Sequence, residues 1–302
     1  MHSTDWYIIT FMLNNLYHSL NPIAFSIGDM TVKWYGLAYL FGFIFAGLIL
    51  VLTAKKWRIV VTFEKLLFGI LLGILGVIIG ARLGYCIFYG DGYYFSNPIK
   101  ILAINEGGMS FHGGLIGGLI FGILPSRICG VRYLRLLDLA FIGVPLGLLF
   151  GRCANFINGE LWGAPTDLPW GVNFGYKAGN IFRHPSQLYE AFLEGLVIFV
   201  VLFCLSRRKN APQPRGTYFA LFCIMYGMFR FVVEFVRVPD AQLGYIAWGW
   251  LTMGQILSIP VFVVGIVLLF YSQRVIKLNP LYKEPDSSYT KKRLAFPDRF
   301  EY

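Results

Sequence analysis

The sequence predicts an all-α integral membrane protein, in which seven transmembrane helices carry a small outward-facing cap between spans four and five. Of the 302 residues, 57% are hydrophobic and only 14% are charged. Soluble globular proteins carry about 25% charged residues, and the mean hydropathy of this chain is +0.62. The apolar residues also form separate stretches near the length of about 20 residues that a helix needs to cross a bilayer. We therefore expect residues 1–302 to form a single polytopic membrane domain.

Seven apolar stretches are candidates for the membrane-spanning helices. They cover residues 32–53, 66–89, 110–125, 136–152, 187–206, 217–236 and 253–273. The second and third stretches carry glycines at spacings of three and four residues, and the third is also shorter than the others. Small residues at such spacings let two helix backbones approach closely. This pattern predicts tight helix packing and by itself indicates no function.

The basic residues predict the orientation of the chain in the membrane. Most of the 26 lysines and arginines follow the first, third, fifth or seventh stretch. Because cytoplasmic loops are enriched in Lys and Arg, we expect the N-terminus outside and the C-terminus in the cytoplasm. The tail at 274–302 is then a basic cytoplasmic end. The first 20 residues lack a basic start and a small-residue cleavage site, so no cleavable signal peptide is expected.

The segment at 153–186 is the longest of the predicted outward-facing loops. Loops of this length are usually functional or disordered. Four aromatic residues within it argue against disorder, namely Trp162, Trp170, Phe174 and Tyr176. The sequence therefore predicts a small folded cap at the outer membrane surface.

The formal net charge of +10 raises the question of a nucleic-acid partner. In a membrane protein such a charge reflects topology and attraction to anionic lipid, so we predict a lipid partner and no nucleic acid. The sequence contains no P-loop, dinucleotide fingerprint, zinc-ligand spacing or hydrolase nucleophile motif. Neither a cofactor nor a metal is predicted.

A cluster of polar residues directly follows the fourth apolar stretch. Arg152, Asn155, Asn158 and Glu160 lie within the glycine-bounded segment 151–163. A charged group at membrane depth is costly unless it is paired or hydrated, so it marks a candidate functional site. We expect these side chains to share one turn where the apolar helix meets water.

A second polar group lies in the sixth stretch. Arg230, Glu234 and Arg237 are spaced at i, i+4 and i+7, and Tyr226 lies one turn before them. This spacing predicts that all four share one helical face. One interpretation is a structural Arg230–Glu234 ion pair between helices. The other is a binding site for an anion, since two arginines exceed one glutamate and the planar guanidinium suits bidentate phosphate binding.

Other polar and aromatic residues allow structural and functional interpretations. Arg82 at the end of the second stretch is typical of an arginine that reaches the membrane surface. Tyr35 begins the first stretch, as an interfacial aromatic residue does. His112 begins the third stretch between glycines, and it is either a satisfied hydrogen-bonding group or a base near neutral pH. The run His184–Glu190 is interpreted as the N-terminal cap of the fifth helix.

These polar groups map to one depth of the membrane. The residues predicted at its outer half or edge are Tyr35, His112, Arg152, Asn155, Glu160, Arg230 and Arg237. The positive charge at headgroup depth indicates an anionic lipid headgroup as the ligand.

Six segments of the chain resemble the bacterial phosphatidylglycerol–prolipoprotein diacylglyceryl transferases. They are Trp34-Tyr35-Gly36, Gly107 to Gly114 (GGMSFHGG), Gly151 to Gly163 (GRCANFINGELWG), His184 to Glu190 (HPSQLYE), Arg230 to Asp240 (RFVVEFVRVPD), and Met253 to Ser258 (MGQILS). The resemblance covers nearly the whole chain. One departure is Ala154, where the family usually has glycine.

The resemblance implies a bacterial inner-membrane enzyme. Its reaction transfers the diacylglyceryl group of phosphatidylglycerol to the lipobox cysteine thiol in the signal peptide of a prolipoprotein, so that a thioether forms and glycerol phosphate leaves. By matching motif positions, Arg152 and Arg230 correspond to the family's essential arginines. The other positions that matter in the family are Tyr35, His112, Asn155, Glu160, Gly163, Glu234 and Arg237.

Our hypothesis is that Arg152 and Arg230 clamp the lipid phosphate, while Asn155 and Glu160 orient Arg152 and the headgroup. Tyr226, on the arginine face, is included among the substrate-binding residues. His112 accepts the thiol proton, or the arginines lower the pKa of the thiol; the sequence leaves both open. Two other classes of protein fit the sequence less well. A transporter usually shows inverted repeats, which this sequence lacks, and a structural anchor or receptor does not explain the converging arginines.

Overall fold

The computed structural model describes residues 12–88, 90, 92–104, 107–239 and 244–276. Within them, six helices are long and apolar enough to cross a membrane, and a shorter apolar helix follows the second. The helices are labelled α1 (Trp34–Lys56), α2 (Phe63–Phe88), α3 (Phe111–Phe121), α4 (Ile123–Cys129), α5 (Tyr133–Asn158), α6 (Ser186–Arg207), α7 (Thr217–Val233) and α8 (Met253–Phe270). The chain is a predominantly helical, multi-pass membrane protein.

Strands occur in the described residues only as short antiparallel hairpins. They are β1 (Ile23–Ile27) with β2 (Met30–Lys33), β3 (Val172–Asn173) with β4 (Phe182–Arg183), and β5 (Tyr245–Ala247) with β6 (Leu251–Thr252). Ser26 pairs with Thr31 in the first hairpin, and Val172 with Arg183 in the second. Each hairpin lies in a connection between helices, so the sheets position loops and form no layer.

Two predicted boundaries differ from the structure. The third predicted span consists of α3 and α4, which are joined at Gly122, and the resulting apolar helix is shorter than the other six. The helix predicted to end at residue 152 continues as α5 to Asn158. It continues because Ala154, Asn155 and Phe156 are buried.

Contacts divide the described chain into two units, one comprising residues 12–50 and 140–276 and the other residues 51–139. In the second unit, α2 packs against α3 through glycines. A Cβ atom on Gly80 would lie 2.6 Å from the Cα of Gly117 and would also meet the carbonyl of Gly113. This close approach confirms the tight packing that the glycine spacing predicts, since only helices without side chains at the crossing point come this near.

Arg82 of α2 is buried in the second unit, with 3% of its surface exposed. Its guanidinium donates to the carbonyls of Lys100 at 2.6 Å, Ile101 at 2.8 Å and Gly108 at 3.1 Å, and also to that of Gly107. The interpretation of Arg82 as an arginine that reaches the surface is therefore wrong. The backbone carbonyls that need donors keep it inside.

In the first unit, residues 159–185 form a folded segment that packs on the end of α5 through an apolar cluster. Its buried members are Phe156, Val172, Phe174 and Ala178. The Tyr17 ring packs edge-on against Phe174, with 4.9 Å between centroids. At the end of this segment, burial lowers the pKa of His184, whose Nδ1 lies 3.2 Å from the Tyr189 hydroxyl. The prediction that the loop is ordered is consistent with this packing.

Candidate active site

Glu190 of α6 binds three arginines through a single carboxylate oxygen. Its Oε2 lies 2.8 Å from a guanidinium nitrogen of Arg152, 2.8 Å from one of Arg230 and 3.6 Å from one of Arg237. The Glu190 side chain is fully buried, whereas those of Arg152 and Arg230 are 17% and 13% exposed. Side chains from α5, α6 and α7 therefore meet at this carboxylate. We call Arg152, Glu190, Arg230, Glu234 and Arg237 the arginine cluster.

Arg230 is held on its other side by its own helix. A second guanidinium nitrogen lies 2.8 Å from Oε2 of Glu234, the residue that follows α7. The other oxygen of Glu234 accepts a hydrogen bond of 3.0 Å from the Thr252 hydroxyl. Thr252 also caps α8 in a capping box with Gln255, which satisfies backbone donors at the start of that helix. The plane of Arg230 is thus fixed by two carboxylates.

Arg237 reaches the cluster from extended backbone. The α-helix ends at Val233, a 3₁₀ turn follows at Glu234–Val236, and Arg237 has φ −92° and ψ 150°. The prediction that Arg237 continues the helical face of Arg230 is therefore wrong. The chain leaves the helix because Arg237 pairs in an isolated bridge with Gly163.

Gly163 lies where two backbone segments come closest. A Cβ atom at this position would lie 2.5 Å from the Val236 carbonyl oxygen and 2.6 Å from the His184 Cβ. The Gly163 N–H donates to the His184 carbonyl at 2.9 Å. Gly163 therefore serves the site through its backbone, because any side chain would separate Arg237 from the folded segment.

The polar residues after Arg152 form a network around Glu160. Its Oε1 accepts hydrogen bonds from the side-chain amides of Asn155 at 2.8 Å and Asn158 at 3.3 Å. The Glu160 carbonyl accepts from Gln187 of α6 at 2.6 Å. Arg152 instead forms an ion pair with Glu190. The structure thus places Asn155 with Glu160, and Arg152 with the arginine cluster.

Two tyrosines predicted at the site lie close to these charges. The Tyr35 hydroxyl is 3.0 Å from that of Tyr39 and interacts electrostatically with Glu160 and Arg152. Tyr226 of α7 is buried and interacts electrostatically with Arg230 and Arg152.

His112 is the second residue of α3. The Ser110 side chain caps this helix by accepting a hydrogen bond from the Gly113 N–H. The His112 side chain lies outside the described part of the structure, so its role as a base stays a prediction.

Sequence reasoning missed Glu190 and Glu194. The run that contains Glu190 has the pattern of a helix cap, although two carboxylates at i and i+4 inside an apolar helix are themselves a signal of function. Glu194 lies in the π-helical stretch Ala191–Val197. It is fully buried, and in the described structure neither carboxylate oxygen has a hydrogen-bond partner.

Glu194 changes the charge count at the site. It interacts electrostatically with Arg152, Arg230 and Arg237, so three glutamates now face three arginines. The predicted excess of positive charge is therefore absent when every group is ionised. What remains distinctive is the geometry, in which two partly exposed planar guanidinium groups from different helices lie side by side. Such forks match the oxygens of a phosphate.

The chain is similar to one protein family over most of its length. The family model described as prolipoprotein diacylglyceryl transferase matches residues 22–271. A curated relative from Methylococcus capsulatus is 49% identical and covers 84% of this chain and 95% of its own. Relatives from Xanthomonas euvesicatoria and Pseudomonas aeruginosa are 46% and 45% identical and cover 89% and 85% of this chain, and 96% of their own length in each case. All three are named phosphatidylglycerol–prolipoprotein diacylglyceryl transferase.

Proposed function

The chain belongs to the prolipoprotein diacylglyceryl transferase family, and from this membership we propose that the arginine cluster is its active site. The chain transfers the diacylglyceryl group of phosphatidylglycerol to a prolipoprotein, the first step of lipoprotein maturation. The acceptor is the thiol of the lipobox cysteine in the signal peptide. Its sulfur forms a bond to the diacylglyceryl carbon, the bond from that carbon to the phosphate oxygen breaks, and glycerol phosphate leaves with the electron pair.

Arg152 and Arg230 bind the phosphate and stabilise the charge that develops on the leaving group. The observation that carries this assignment is that guanidinium groups from α5 and α7 both lie 2.8 Å from one buried oxygen of Glu190. Both side chains keep part of their surface exposed, and each guanidinium carries five N–H donors. Oriented donors in a site of low dielectric stabilise developing charge most effectively.

The thiol must lose its proton before it attacks. A free cysteine has a pKa of about 8.5 and is mostly protonated at neutral pH. His112 accepts this proton in our proposal, and the alternative is that the arginines favour the thiolate directly. The rate of His112→Gln across pH 6 to pH 9 distinguishes them. A full rate throughout removes His112 from the mechanism, whereas loss of the neutral-pH rate with partial recovery at high pH supports the base.

The remaining residues orient the substrates in this proposal. Tyr35, Asn155 and Glu160 form the polar wall for the glycerol headgroup, supported by the hydrogen bond of 2.8 Å between Asn155 and Glu160. The part of the site that binds the phosphate is supported by Tyr226, Glu234 and Arg237. Glu234 pairs with Arg230, and Arg237 approaches Glu190. Gly163 keeps the backbone of Arg237 in place.

The topology completes the proposal. Seven transmembrane segments, with α3 and α4 together as the third, form one domain over residues 1–302 in the bacterial inner membrane. The N-terminus and the cap at 153–186 face outward, and the basic tail at 274–302 is cytoplasmic. The basic loops support this orientation. Membrane-impermeant thiol labelling of single cysteines placed at Tyr176 and Lys209 tests it, since only Tyr176→Cys is expected to react from outside.

A transfer assay tests the active site. Purified protein is incubated with phosphatidylglycerol and a peptide that contains a lipobox cysteine, and the peptide mass is measured. We expect one diacylglyceryl group on the cysteine for the wild type and a large loss of rate for Arg152→Lys and Arg230→Lys, because lysine lacks the planar fork. Arg208→Lys, at an exposed position, is the matched control. A normal rate in both site variants would exclude the proposed role of Arg152 and Arg230 in binding the phosphate.

A further inference from the structure

The feature that the reaction scheme leaves unused is the shared carboxylate of Glu190. We infer that Glu190 is a positioning residue, which holds Arg152 and Arg230 side by side in the arrangement that receives the phosphate. This inference rests on the proposed function, because it concerns how the two proposed phosphate ligands are held. Glu190 itself does not touch the lipid in this scheme.

The distances define how closely Glu190 holds the two arginines. Two guanidinium nitrogens that are each 2.8 Å from the same oxygen cannot be more than about 5.6 Å apart. Without a shared anion, two positive groups at that separation repel each other strongly where the dielectric is low. Glu190 therefore removes the repulsion and also sets the spacing of the two groups.

The exposure of the three side chains supports a positioning role for Glu190. The Glu190 side chain is fully buried, whereas Arg152 and Arg230 are 17% and 13% exposed. The exposed parts of the two guanidinium groups are thus not covered by Glu190 and are available to a ligand. Buried carboxylates orient metal-binding histidines in a similar way. Here the carboxylate would orient groups that bind the substrate.

A purely structural role would not require this arrangement. Buried ion pairs are weak contributors to stability, because the cost of removing charges from water offsets their attraction. Glu190 also makes its three arginine contacts through Oε2 and leaves Oε1 without a hydrogen-bond partner in the described structure. If Glu190 served only stability, its buried Oε1 would be expected to accept a hydrogen bond as well.

Glu194 provides a matched control on the same helix. It is a glutamate one turn away, equally buried, and has no hydrogen-bond partner in the described structure. Glu194→Gln removes a carboxylate near the same arginines without removing a contact that fixes their spacing. Comparing it with Glu190→Gln separates positioning from the general effect of a buried negative charge.

The experiment measures kcat, the apparent KM for phosphatidylglycerol in mixed micelles, and thermal stability. For Glu190→Gln we expect kcat to fall on the order of 100-fold, the loss expected when catalytic groups shift by about 1 Å. The apparent KM should rise as well, because the two guanidinium groups no longer receive the phosphate together. Glu194→Gln should lower kcat clearly less than Glu190→Gln does, since the contacts that fix Arg152 and Arg230 remain.

Several results would overturn the inference. A folded Glu190→Gln protein with wild-type kcat excludes positioning, and so does an equal loss of kcat in Glu190→Gln and Glu194→Gln. If Glu190→Gln does not fold, Glu190→Asp decides, because aspartate keeps the charge but is too short to reach both arginines. A wild-type kcat in the aspartate variant overturns the inference, and a loss of about tenfold or more at unchanged stability supports it.

The lysine variants distinguish this failure from failure of the proposed function. Loss of rate in Arg152→Lys and Arg230→Lys with a normal Glu190→Gln retains the arginine clamp and excludes only the positioning role. Normal rates in the lysine variants exclude the clamp itself, and the positioning role with it.

Discussion

Two regions of the molecule bury arginine in long apolar helices, and they do it differently. Arg82 is 3% exposed and is surrounded by four backbone carbonyls. Arg152 and Arg230 are paired with carboxylates and keep 17% and 13% of their side-chain surface exposed. The first arrangement ties a loop to a helix, and the second leaves donors available to a ligand.

The partners of each arginine explain the difference. Carbonyl groups carry no net charge, so Arg82 satisfies loop backbone that must find donors when buried. Carboxylates neutralise Arg152 and Arg230 while using only part of their donors. A buried arginine in a membrane protein is therefore structural or functional according to what it binds and how much of it remains accessible.

The largest effect expected from this comparison is on catalysis. Replacing Arg230 with alanine should lower kcat by roughly 100- to 1000-fold, as removal of one oriented donor does in other enzymes. The transfer assay on the folded protein measures it. Arg208→Ala, at an exposed position, should behave as the wild type. A loss below about tenfold would place Arg230 with Arg82 as a structural residue.

Replacing Arg82 with alanine should act on stability. Several buried carbonyls would lose their donor, and each unsatisfied group costs about 1–3 kcal/mol. We expect a marked fall in the midpoint of thermal unfolding in detergent, with a smaller loss of turnover per folded molecule than for Arg230→Ala. If Arg82→Ala unfolds at the wild-type temperature, Arg82 does not have the structural role that distinguishes it from Arg230.

Gly163→Ala tests the link between the folded segment and Arg237. The new methyl group would overlap the Val236 carbonyl oxygen and the His184 Cβ, and overpacking of this kind costs about 1–3 kcal/mol. Both stability and transfer rate should fall. Gly151→Ala is the control, because its Cβ would have no other atom within 4 Å. Equal effects of the two substitutions would exclude a steric role for Gly163.

The smallest effect is expected at Ala154. This residue is buried, with 2% of its surface exposed, inside α5. A glycine there should lower the free energy of unfolding by about 1 kcal/mol through the entropy of the unfolded chain. The kcat should stay within about twofold, because Arg152 keeps its partner on α6. A larger change in kcat would show that Ala154 shapes the presentation of Arg152 or Asn155.

Much of the fold could be predicted from the sequence. The six long helices follow apolar stretches, and the packing of α2 on α3 follows glycine spacing, because both patterns are local consequences of a lipid environment. The end of α5 and the division between α3 and α4 could not be predicted. These boundaries depend on burial against other segments, as at Phe156, and on the backbone at Gly122.

Composition and spacing along the chain are enough to predict the class of protein, the six long helices and the two arginines of the candidate site. A long apolar stretch, and a charged residue that is costly inside it, can both be recognised in the sequence without knowledge of the fold. The folded structure alone shows that Glu190 joins Arg152 to Arg230, that Arg237 approaches from extended backbone, and that backbone carbonyls surround Arg82. These contacts join residues far apart in the chain, and their geometry depends on how the helices pack.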